Sequence, residues 1–453
     1  MPLSELPPPI SADGQDLPIM RVAPPGPLSR SWVARLERVE SPAFGARRGA
    51  REGLADVEQA PIVYASAGGS NVFDVDGNRY VDMTSGFGAI LLGHASSRPA
   101  RALEMQSGRL WHALGDVYAS DGRIALMERI AALFPEKGAR VILGQSGADA
   151  VTAALKTAVL ATGKPGVIAF EGAYHGLSYG PLAACGYRAT FREPFSAQLS
   201  PHVRFVPFPA RADDVDAALD ALDRALAAGD VGAVLIEPVL GRGGCIPAPA
   251  RFLGEVATRA RGAGALLVAD EIWTGLGRAG AMLAAVDDGV VPDLVCLGKG
   301  LGGGMPLSAC VGSDAVMRAW SKAPEIVHTA TFHGAPLACA TGIALLDAVR
   351  ADRLAERAAT VGTSFREALR ERLLELPSVR GVRGRGLMIG VELGSAALAL
   401  AVARDLLASG WIVLTGGVRG DVLTLTPALT IAEPLLDAFV AALHAAVEAR
   451  EQA

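Results

Sequence analysis

Lys299 is the first residue whose type and surroundings suggest chemistry. It stands in the glycine-rich segment Gly298–Gly304, directly after the apolar run Leu294–Leu297. A P-loop needs Ser or Thr after its lysine to bind Mg²⁺, and Gly300 has no hydroxyl, so a nucleoside-triphosphate site is excluded. A lysine at the end of a buried strand has another use, because desolvation lowers the pKa of its amine. Such an amine attacks carbonyl carbons and accepts protons.

Two acidic residues end the preceding apolar run. Asp270 and Glu271 follow Ala265–Ala269, and the carboxyl ends of parallel strands are a common place for an active site in α/β proteins. Considered alone, the two carboxylates fit a solvated strand end equally well. With a lysine one strand later, Asp270 matches the needs of pyridoxal phosphate (PLP). That cofactor requires a carboxylate at its pyridinium nitrogen and a lysine that forms a Schiff base with its aldehyde.

Two further loops contain residues that suit the rest of this cofactor. The run Val141–Leu143 leads into Ser146–Ala148 and then into a helical stretch, where backbone amides and a hydroxyl can bind a phosphate. Ser146 is also compatible with an ordinary helix N-cap. The run Val167–Phe170 is followed by Tyr174 and His175, which place an aromatic ring near the cofactor or belong to a packed loop.

The motif Gly275–Gly280 matches the dinucleotide-binding pattern G-x-G-x-x-G. That pattern requires a strand, an immediate tight turn, a helix, and an acid about 20 residues later. Here the strand ends at Asp270, before the glycines, and the next strand ends in Gly298 and Lys299. The context therefore argues against dinucleotide binding.

Helical stretches alternate with short apolar runs from about residue 98 to residue 340. Apolar runs of this length suit strands that are buried on both faces, so the pattern predicts an α/β domain with a mainly parallel sheet. The runs are Val141–Leu143, Val167–Phe170, Val203–Phe208, Ala233–Ile236, Ala265–Ala269, Leu294–Leu297 and Leu307–Val311.

We expect four parts along the chain. Residues 1–60, with eight prolines among the first 30, form an N-terminal arm and helix. Residues 61–97 form the N-terminal part of a small domain and contain a hairpin around an Asp-Gly turn at position 76. Residues 98–340 form the large cofactor-binding domain. Residues 341–453 form the C-terminal small domain, in which the pattern after residue 379 predicts strand, helix, strand and helix.

Composition excludes several classes of partner. The 42 Lys and Arg residues against 47 Asp and Glu residues give a net charge of −5, which disfavours nucleic acid. The sequence shows no signal-peptide pattern and no apolar run of membrane-spanning length. The five cysteines are scattered and form no CxxC pair, so we expect a cytoplasmic protein with reduced thiols and no metal site.

Six sequence blocks, in this order and spacing, resemble those of class III aminotransferases, which are PLP enzymes. The resemblance covers the chain from about residue 60 to its end. It implies an α/β protein of fold type I, with a mainly parallel seven-stranded sheet in the large domain and a smaller α+β domain. The blocks are Gln145–Ala148, Phe170–Gly176, Ile236–Val239, Asp270–Arg278, Leu297–Ser308 and Thr331–Cys339.

The resemblance also implies roles at the reactive end of the cofactor. Lys299 forms the Schiff base and later moves the proton, and Asp270 keeps the ring nitrogen protonated. Ile272 packs on one face of the ring and Tyr174 on the other. His175 supports residues that contact the cofactor and does not contact it directly.

The remaining implied contacts concern the phosphate and a second subunit. Ser146 and the amides of Gly147 and Ala148 hold the phosphate, and Glu237 supports the site in the same way as His175. Thr331 reaches the phosphate of the neighbouring subunit, so the resemblance implies a homodimer.

The implied reaction moves an amino group from a small-molecule donor to a carbonyl acceptor. An aminomutase or amino-acid racemase of the same family is the alternative, because such enzymes keep nearly identical motifs. A non-catalytic protein on this fold is a third possibility, but it predicts the loss of the lysine, the aspartate or the phosphate loop.

The sequence departs from the family at two positions that often recognise a substrate carboxylate. A family glutamate is replaced by Arg242 and a family arginine by Thr424. Arg242 either binds the carboxylate from the other side of the pocket or is a solvent-facing turn residue, and we favour the first. Arg419 is a second candidate for carboxylate binding, with an exposed loop cation as its alternative.

Two bulky residues are expected to line the substrate pocket. Phe87 falls where the family lines this pocket, and Trp273 replaces a residue that is often polar. Both side chains would narrow the pocket and exclude water from it, although both are also compatible with an ordinary position in the hydrophobic core.

Overall fold

The computed structural model describes residues 14–323 and 325–452. It forms two compact units: the first combines the residues up to Ser97 with those from Thr360 onward, and the second runs from Arg98 to Ala359. The part of the expected N-terminal arm that precedes Gly14 lies outside the described residues. The division falls at residue 359 and not at the expected residue 340, because the helix Pro336–Ala351 packs within the second unit.

Helices and short helical turns occur throughout the described residues. The α-helices are α1 (Pro27–Leu36), α2 (Pro42–Ala55), α3 (Ser85–Gly88), α4 (Ser97–Ser107), α5 (Asp121–Ala131), α6 (Gly147–Thr162), α7 (Tyr179–Ala183), α8 (Val215–Leu226), α9 (Phe252–Gly262), α10 (Ala284–Asp287), α11 (Asp314–Met317), α12 (Pro336–Ala351), α13 (Leu354–Leu373), α14 (Ala396–Ala408) and α15 (Glu433–Gln452). Short 3-10 turns lie at Ala189–Phe191, Glu193–Gln198, Ala212–Asp214, Lys299–Gly302 and Arg318–Lys322.

The strands alternate with these helices in the second unit and cluster at both ends of the chain in the first. They are β1 (Tyr64–Gly68), β2 (Asn71–Asp74), β3 (Arg79–Asp82), β4 (Arg140–Gly144), β5 (Gly166–Phe170), β6 (Val203–Val206), β7 (Val231–Ile236), β8 (Val239–Leu240), β9 (Ile246–Pro247), β10 (Leu266–Asp270), β11 (Leu294–Leu297), β12 (Ser308–Gly312), β13 (Val379–Arg385), β14 (Met388–Leu393), β15 (Trp411–Ile412), β16 (Leu414–Gly416) and β17 (Val422–Leu425).

The second unit is built on a sheet that has seven strands among the described residues. Their order is β4-β12-β11-β10-β7-β5-β6. The strands from β11 to β6 pair in parallel, and only β12 runs against its neighbours β11 and β4. The expected mainly parallel sheet of an α/β protein is therefore confirmed. Its parallel strands point their carboxyl ends to one edge.

The sheet is buried on both faces, which explains its continuous apolar runs. Ala233 and Leu235 of β7 pack in one core cluster with residues of α6. The alternate residues Val234 and Ile236 pack in a second cluster with α8 and α9. Because successive side chains of a strand point to opposite faces, this division places α6 on one face of the sheet and α8 and α9 on the other.

The first unit contains two smaller sheets. The expected hairpin is formed by β2 and β3, which pair antiparallel around the turn at Gly77, and β15 adds in parallel to β3. The second sheet has the antiparallel order β13-β14-β17-β16. The chain after residue 379 thus contains more strands than the expected strand, helix, strand and helix, because β13 and β14 form a hairpin of their own.

Two negative findings concern the described residues alone. Among them, no helix combines the length and the apolar character needed to cross a membrane. Across residues 14–323 and 325–452 there is also no group of three or more His, Cys, Asp or Glu side chains that could hold a metal ion.

Candidate active site

The carboxyl ends of the parallel strands bring the candidate residues to one edge of the large sheet. Sequence positions as far apart as Ser146 and Lys299 meet there because each follows or ends one of these strands. The contributions are Ser146 after β4, Tyr174 and His175 after β5, Glu237 after β7, Asp270 at the end of β10 and Lys299 after β11.

Asp270 is buried and held from two sides. Its Oδ1 atom accepts the backbone N–H of Ile272 at 3.1 Å, and its Oδ2 atom lies 2.7 Å from Nδ1 of His175. Because a carboxylate only accepts hydrogen bonds, Nδ1 is the donor in this pair. The Nε2 atom of His175 is buried and has no hydrogen-bond partner among the described residues. The pair therefore forms a rigid and polar base for the site.

Glu237 is a second buried carboxyl group close to this pair. It accepts the backbone N–H of Tyr174 at 2.8 Å and that of Gly241 at 2.9 Å. Burial raises the pKa of Glu237 to about 7, with His175 opposing this shift and the carboxylate of Asp270 adding to it. Glu237 thus fixes the two loops that follow β5 and β7.

Lys299 lies in a strained backbone conformation at the same edge. Its φ angle is +43°, a region that few residues other than glycine adopt and that clusters at functional sites. Burial lowers the pKa of the Lys299 amine to about 8. The carboxylates of Asp270 and Glu237 oppose this shift, and the guanidinium groups of Arg242 and Arg278 reinforce it. The amine therefore titrates close to neutral pH.

The loop after β4 is preorganised for an anion. Ser146 is the N-cap of α6, and its hydroxyl and the carboxylate of Asp149 form a reciprocal capping box. Among the described residues, the N–H groups of Gly147 and Ala148 have no hydrogen-bond acceptor. Two free amides at a helix N-terminus attract negative charge.

The Ile272 side chain lies against this loop. A Cβ atom on Gly147 would come within 2.8 Å of Ile272 Cδ1, and one on Gly298 would come within 3.3 Å of Ile272 Cγ2. The absence of side chains at these two glycines is therefore what allows the phosphate-loop candidate, Ile272 and the lysine loop to approach each other closely.

Arg242 is partly buried and stacked on aromatic rings, so it is not a solvent-facing turn residue. Its guanidinium carbon lies 4.7 Å from the ring centre of Tyr174 and 5.2 Å from that of Tyr187. The two rings pack edge to face at 6.3 Å. In the part of the chain that the structure describes, Arg242 has no carboxylate within ion-pair distance.

A family model for class-III aminotransferases matches residues 54–447. The chain belongs to this family. It is therefore a PLP-dependent aminotransferase, and the expected family, fold type, activity and cofactor are confirmed.

Relatives with similar sequences include two named aminotransferases. The acetylornithine aminotransferase of Mycobacterium tuberculosis is 39% identical over 391 residues, which span 86% of this chain and 92% of that protein. The 4-aminobutyrate aminotransferase of the same organism is 34% identical and covers 90% of this chain and 96% of its own.

Solved structures show the same architecture. An amine transaminase from an uncultivated Pseudomonas species, solved with PLP bound, is 29% identical with a TM-score of 0.81, and covers 86% of this chain and 95% of its own. The ornithine aminotransferase of Toxoplasma gondii is 29% identical with a TM-score of 0.79, and covers 93% of this chain and 98% of its own.

The residues at the sheet edge of this aminotransferase fit PLP. A buried carboxylate braced by His175 suits the pyridinium nitrogen, and the partner-free amides of Gly147 and Ala148 suit the phosphate. The amine of Lys299, with its lowered pKa, suits the aldehyde. The charge, the hydrogen-bonding capacity and the reactivity of these residues thus match the ring nitrogen, the phosphate and the aldehyde of the cofactor.

Three candidate residues of the aminotransferase belong to the first structural unit. Phe87 is 59% exposed and has a φ angle of +62°, within a turn in which the flanking residues are also left-handed. Thr424 is buried in β17. Arg419 is an exposed loop residue that forms ion pairs with Glu392 and Asp421. Its charge is therefore already balanced.

The remaining predicted residues lie in the second unit. Thr331 is exposed in the loop before α12, beside the exposed ring of Phe332. Trp273 lies next to Lys299, with the amine nitrogen 4.0 Å from its ring centre. The glycines of Gly275–Gly280 form a tight loop in which Leu276 and Gly277 pair with Met282 and Ala281, and no helix opens there. This geometry agrees with the rejection of dinucleotide binding.

Two residues near the site carried no predicted role. Arg278 is fully buried and its charge acts on Lys299. Its position as the last residue of the block Asp270–Arg278 was the signal that the sequence offered for it. Tyr187 supports Arg242 from a loop that has no sequence pattern of its own, so only the structure identifies it.

Proposed function

We propose that Lys299 is the residue that bonds to PLP and that Asp270 binds its pyridine nitrogen. The observation that carries this proposal is the convergence of an amine with a lowered pKa, a buried braced carboxylate and an anion-binding loop at one sheet edge. When bound, PLP supplies an electron-accepting ring and a carbon that exchanges amino groups between donor and acceptor.

The other residues around the cofactor hold it in position. Ser146 and the amides of Gly147 and Ala148 bind the phosphate through the helix N-terminus. Ile272 and Tyr174 pack on opposite faces of the ring. The close approach of Ile272 to Gly147 supports this arrangement, because it brings an apolar surface next to the phosphate loop.

Lys299 also serves as the proton carrier. Its Nζ atom removes the proton from the carbon that bears the donor's amino group and later delivers a proton during amino transfer. A group with a pKa of about 8 does both near neutral pH, because its two protonation states are close in free energy.

Arg242 is proposed to bind a carboxylate of the donor or the acceptor. The guanidinium is partly buried, rests on Tyr174 and Tyr187, and has no carboxylate partner among the described residues. Such a group binds a carboxylate through two parallel hydrogen bonds. The names of the relatives point to donors of this class, since acetylornithine, ornithine and 4-aminobutyrate all carry one.

A homodimer is proposed as the working unit, in which Thr331 reaches the phosphate of the second subunit. Support comes from large apolar side chains of the second unit that are exposed, several of them between residues 105 and 118. They include Met105, Trp111, Leu114, Val117, Tyr118 and Phe332. We also propose a cytoplasmic location, which agrees with five buried free cysteines.

Two measurements on the full-length protein test this function. Borohydride reduction of the PLP-loaded protein should trap the cofactor on the peptide that contains Lys299, as located by mass spectrometry. Adding an amino donor without an acceptor should then leave one equivalent of pyridoxamine phosphate per site. A cofactor trapped on another lysine, or the return of all cofactor to its starting form, contradicts the proposal.

A further inference from the structure

The indole ring of Trp273 faces the amine of Lys299. The nitrogen of Lys299 lies 4.0 Å from the ring centre, well within the distance over which an aromatic face attracts a cation. Tryptophan provides the strongest such face among the amino acids. Narrowing the pocket, the role expected for Trp273, does not require a face turned toward the lysine.

Hydrogen bonds made by the two residues that flank Trp273 anchor the turn that carries it. The N–H of Ile272 is bonded to the Asp270 carboxylate, and the hydroxyl of Thr274 is bonded to the carboxylate of Glu271. Glu271 is itself buried and accepts the backbone N–H of Ala285 at 2.7 Å. The turn that carries the indole is thus anchored to two buried acids.

The lysine is directed from its own side as well. Lys299 has a left-handed backbone between two glycines, so that its position depends on a strained turn that the surrounding structure must enforce. Two constrained turns therefore bring one amine and one indole face together.

The charged groups that face Lys299 have opposing effects on its protonation, so that one further contact can shift the balance. The carboxylates of Asp270 and Glu237 stabilise the ammonium form, whereas burial and the guanidinium groups of Arg242 and Arg278 destabilise it. The two protonation states are consequently close in free energy. An attraction of a few times the thermal energy between the ammonium form and the indole face therefore decides which protonation state of Lys299 prevails at neutral pH.

We propose that Trp273 is a positioning residue that holds the released Lys299 amine as an ammonium ion against its indole face while the cofactor carries the amino group. This inference rests on the proposed role of Lys299 and assigns Trp273 a function beyond lining the pocket. An ammonium held in this place is ready to donate its proton when the acceptor carbonyl arrives.

The test measures the pKa of Lys299 directly. Full-length protein loaded with pyridoxamine 5′-phosphate leaves the amine uncombined, because this form of the cofactor has no aldehyde. Trace labelling with acetic anhydride between about pH 6 and pH 11, followed by peptide mass spectrometry, gives the pH at which Lys299 becomes reactive. Exposed Lys137 in the same samples is the internal reference.

Trp273→Leu should lower the pKa of Lys299 by about one pH unit, because the apolar volume remains and the aromatic face is lost. Trp273→Phe should cause a smaller decrease, because a weaker aromatic face remains. An unchanged pKa in both variants, an equal decrease in both, or an increase in the leucine variant would overturn the inference.

Borohydride trapping on Lys299 in the same variants separates this inference from the proposed function. If the PLP-loaded parent protein shows no attachment to Lys299, the proposed function is wrong and the inference falls with it. If PLP is attached to Lys299 in the normal way but the pKa of Lys299 does not decrease as the aromatic face at position 273 is weakened and removed, only the inference is wrong.

Discussion

Nδ1 of His175 lies 2.7 Å from Oδ2 of Asp270, and both side chains are buried. The pair joins the loop after β5 to the end of β10, across a chain separation of 95 residues. Since Asp270 is the proposed partner of the cofactor's ring nitrogen, His175 is the residue that orients that partner. The orientation of Asp270 therefore depends on His175, although the His175 side chain need not touch the reacting atoms.

Replacing His175 by leucine should lower kcat by about 10- to 100-fold, because the loss of one hydrogen bond to a buried charge costs about 1.5–3 kcal/mol. His175→Gln should recover part of the rate, since its amide can donate. Steady-state kinetics and a PLP absorbance titration measure both effects. A leucine variant with at least half of the parent kcat would contradict this role.

Replacing Glu237 by glutamine should change how stability depends on pH. The pKa of Glu237 is raised from its ordinary 4.5 to about 7, so the folded protein binds this proton more tightly than the unfolded chain does. The contribution of Glu237 to stability therefore decreases as pH rises from about 4.5 to about 7, and it is constant above that range.

The measurement for Glu237 is the melting temperature of parent and Glu237→Gln protein across this pH range, both without cofactor. The difference between the two curves cancels the titration of all other groups. We expect the variant to gain relative to the parent as pH rises. A difference that is independent of pH would show that Glu237 does not titrate there.

Replacing Arg242 by glutamine should raise KM for substrates that carry a carboxylate by about 10- to 100-fold, because a charge-assisted pair is lost. Amine donors that lack a carboxylate should be affected little. Michaelis constants for pyruvate, 2-oxoglutarate and 4-aminobutyrate, set against that for a primary amine donor without a carboxylate, provide the comparison.

Arg419→Gln is the matched control for Arg242, because it also removes one arginine charge. Arg419 is already paired with Glu392 and Asp421, so we expect unchanged KM values. The assignment reverses if the KM values increase in the Arg419 variant and stay constant in the Arg242 variant.

Replacing Gly147 by alanine should weaken PLP binding by about 10-fold, because the new Cβ would come within 2.8 Å of Ile272 Cδ1 and must displace it. Equilibrium dissociation constants from a PLP titration measure this effect. Gly254→Ala in α9 is the control, since nothing lies within 4 Å of the added carbon there. Equal affinity in the two variants would count against a tight Gly147–Ile272 contact at the cofactor.

Much of the fold followed from local patterns. The apolar run Leu294–Leu297 coincides with β11, and the other expected strands of the large sheet shifted by two residues or fewer at either end. Buried parallel strands are uniformly apolar and their turns are rich in glycine, so both leave a local signature. The hairpin of β13 and β14 in the C-terminal part was less predictable, because arginine and glycine interrupt β13 and leave it without a continuous apolar run.

The chemical types of the site residues were determined by the sequence alone: a lysine in a glycine loop, an aspartate at a strand end and a serine before a helix. Their order and spacing sufficed to indicate the cofactor. Only the tertiary structure decided what surrounds them. The His175–Asp270 contact, the aromatic support of Arg242 by Tyr187, and the indole face against Lys299 join residues that are distant in the chain or whose side-chain directions no local pattern encodes. Distances and orientations of this kind arise when strands and loops pack together, because they depend on the whole sheet and not on any one segment.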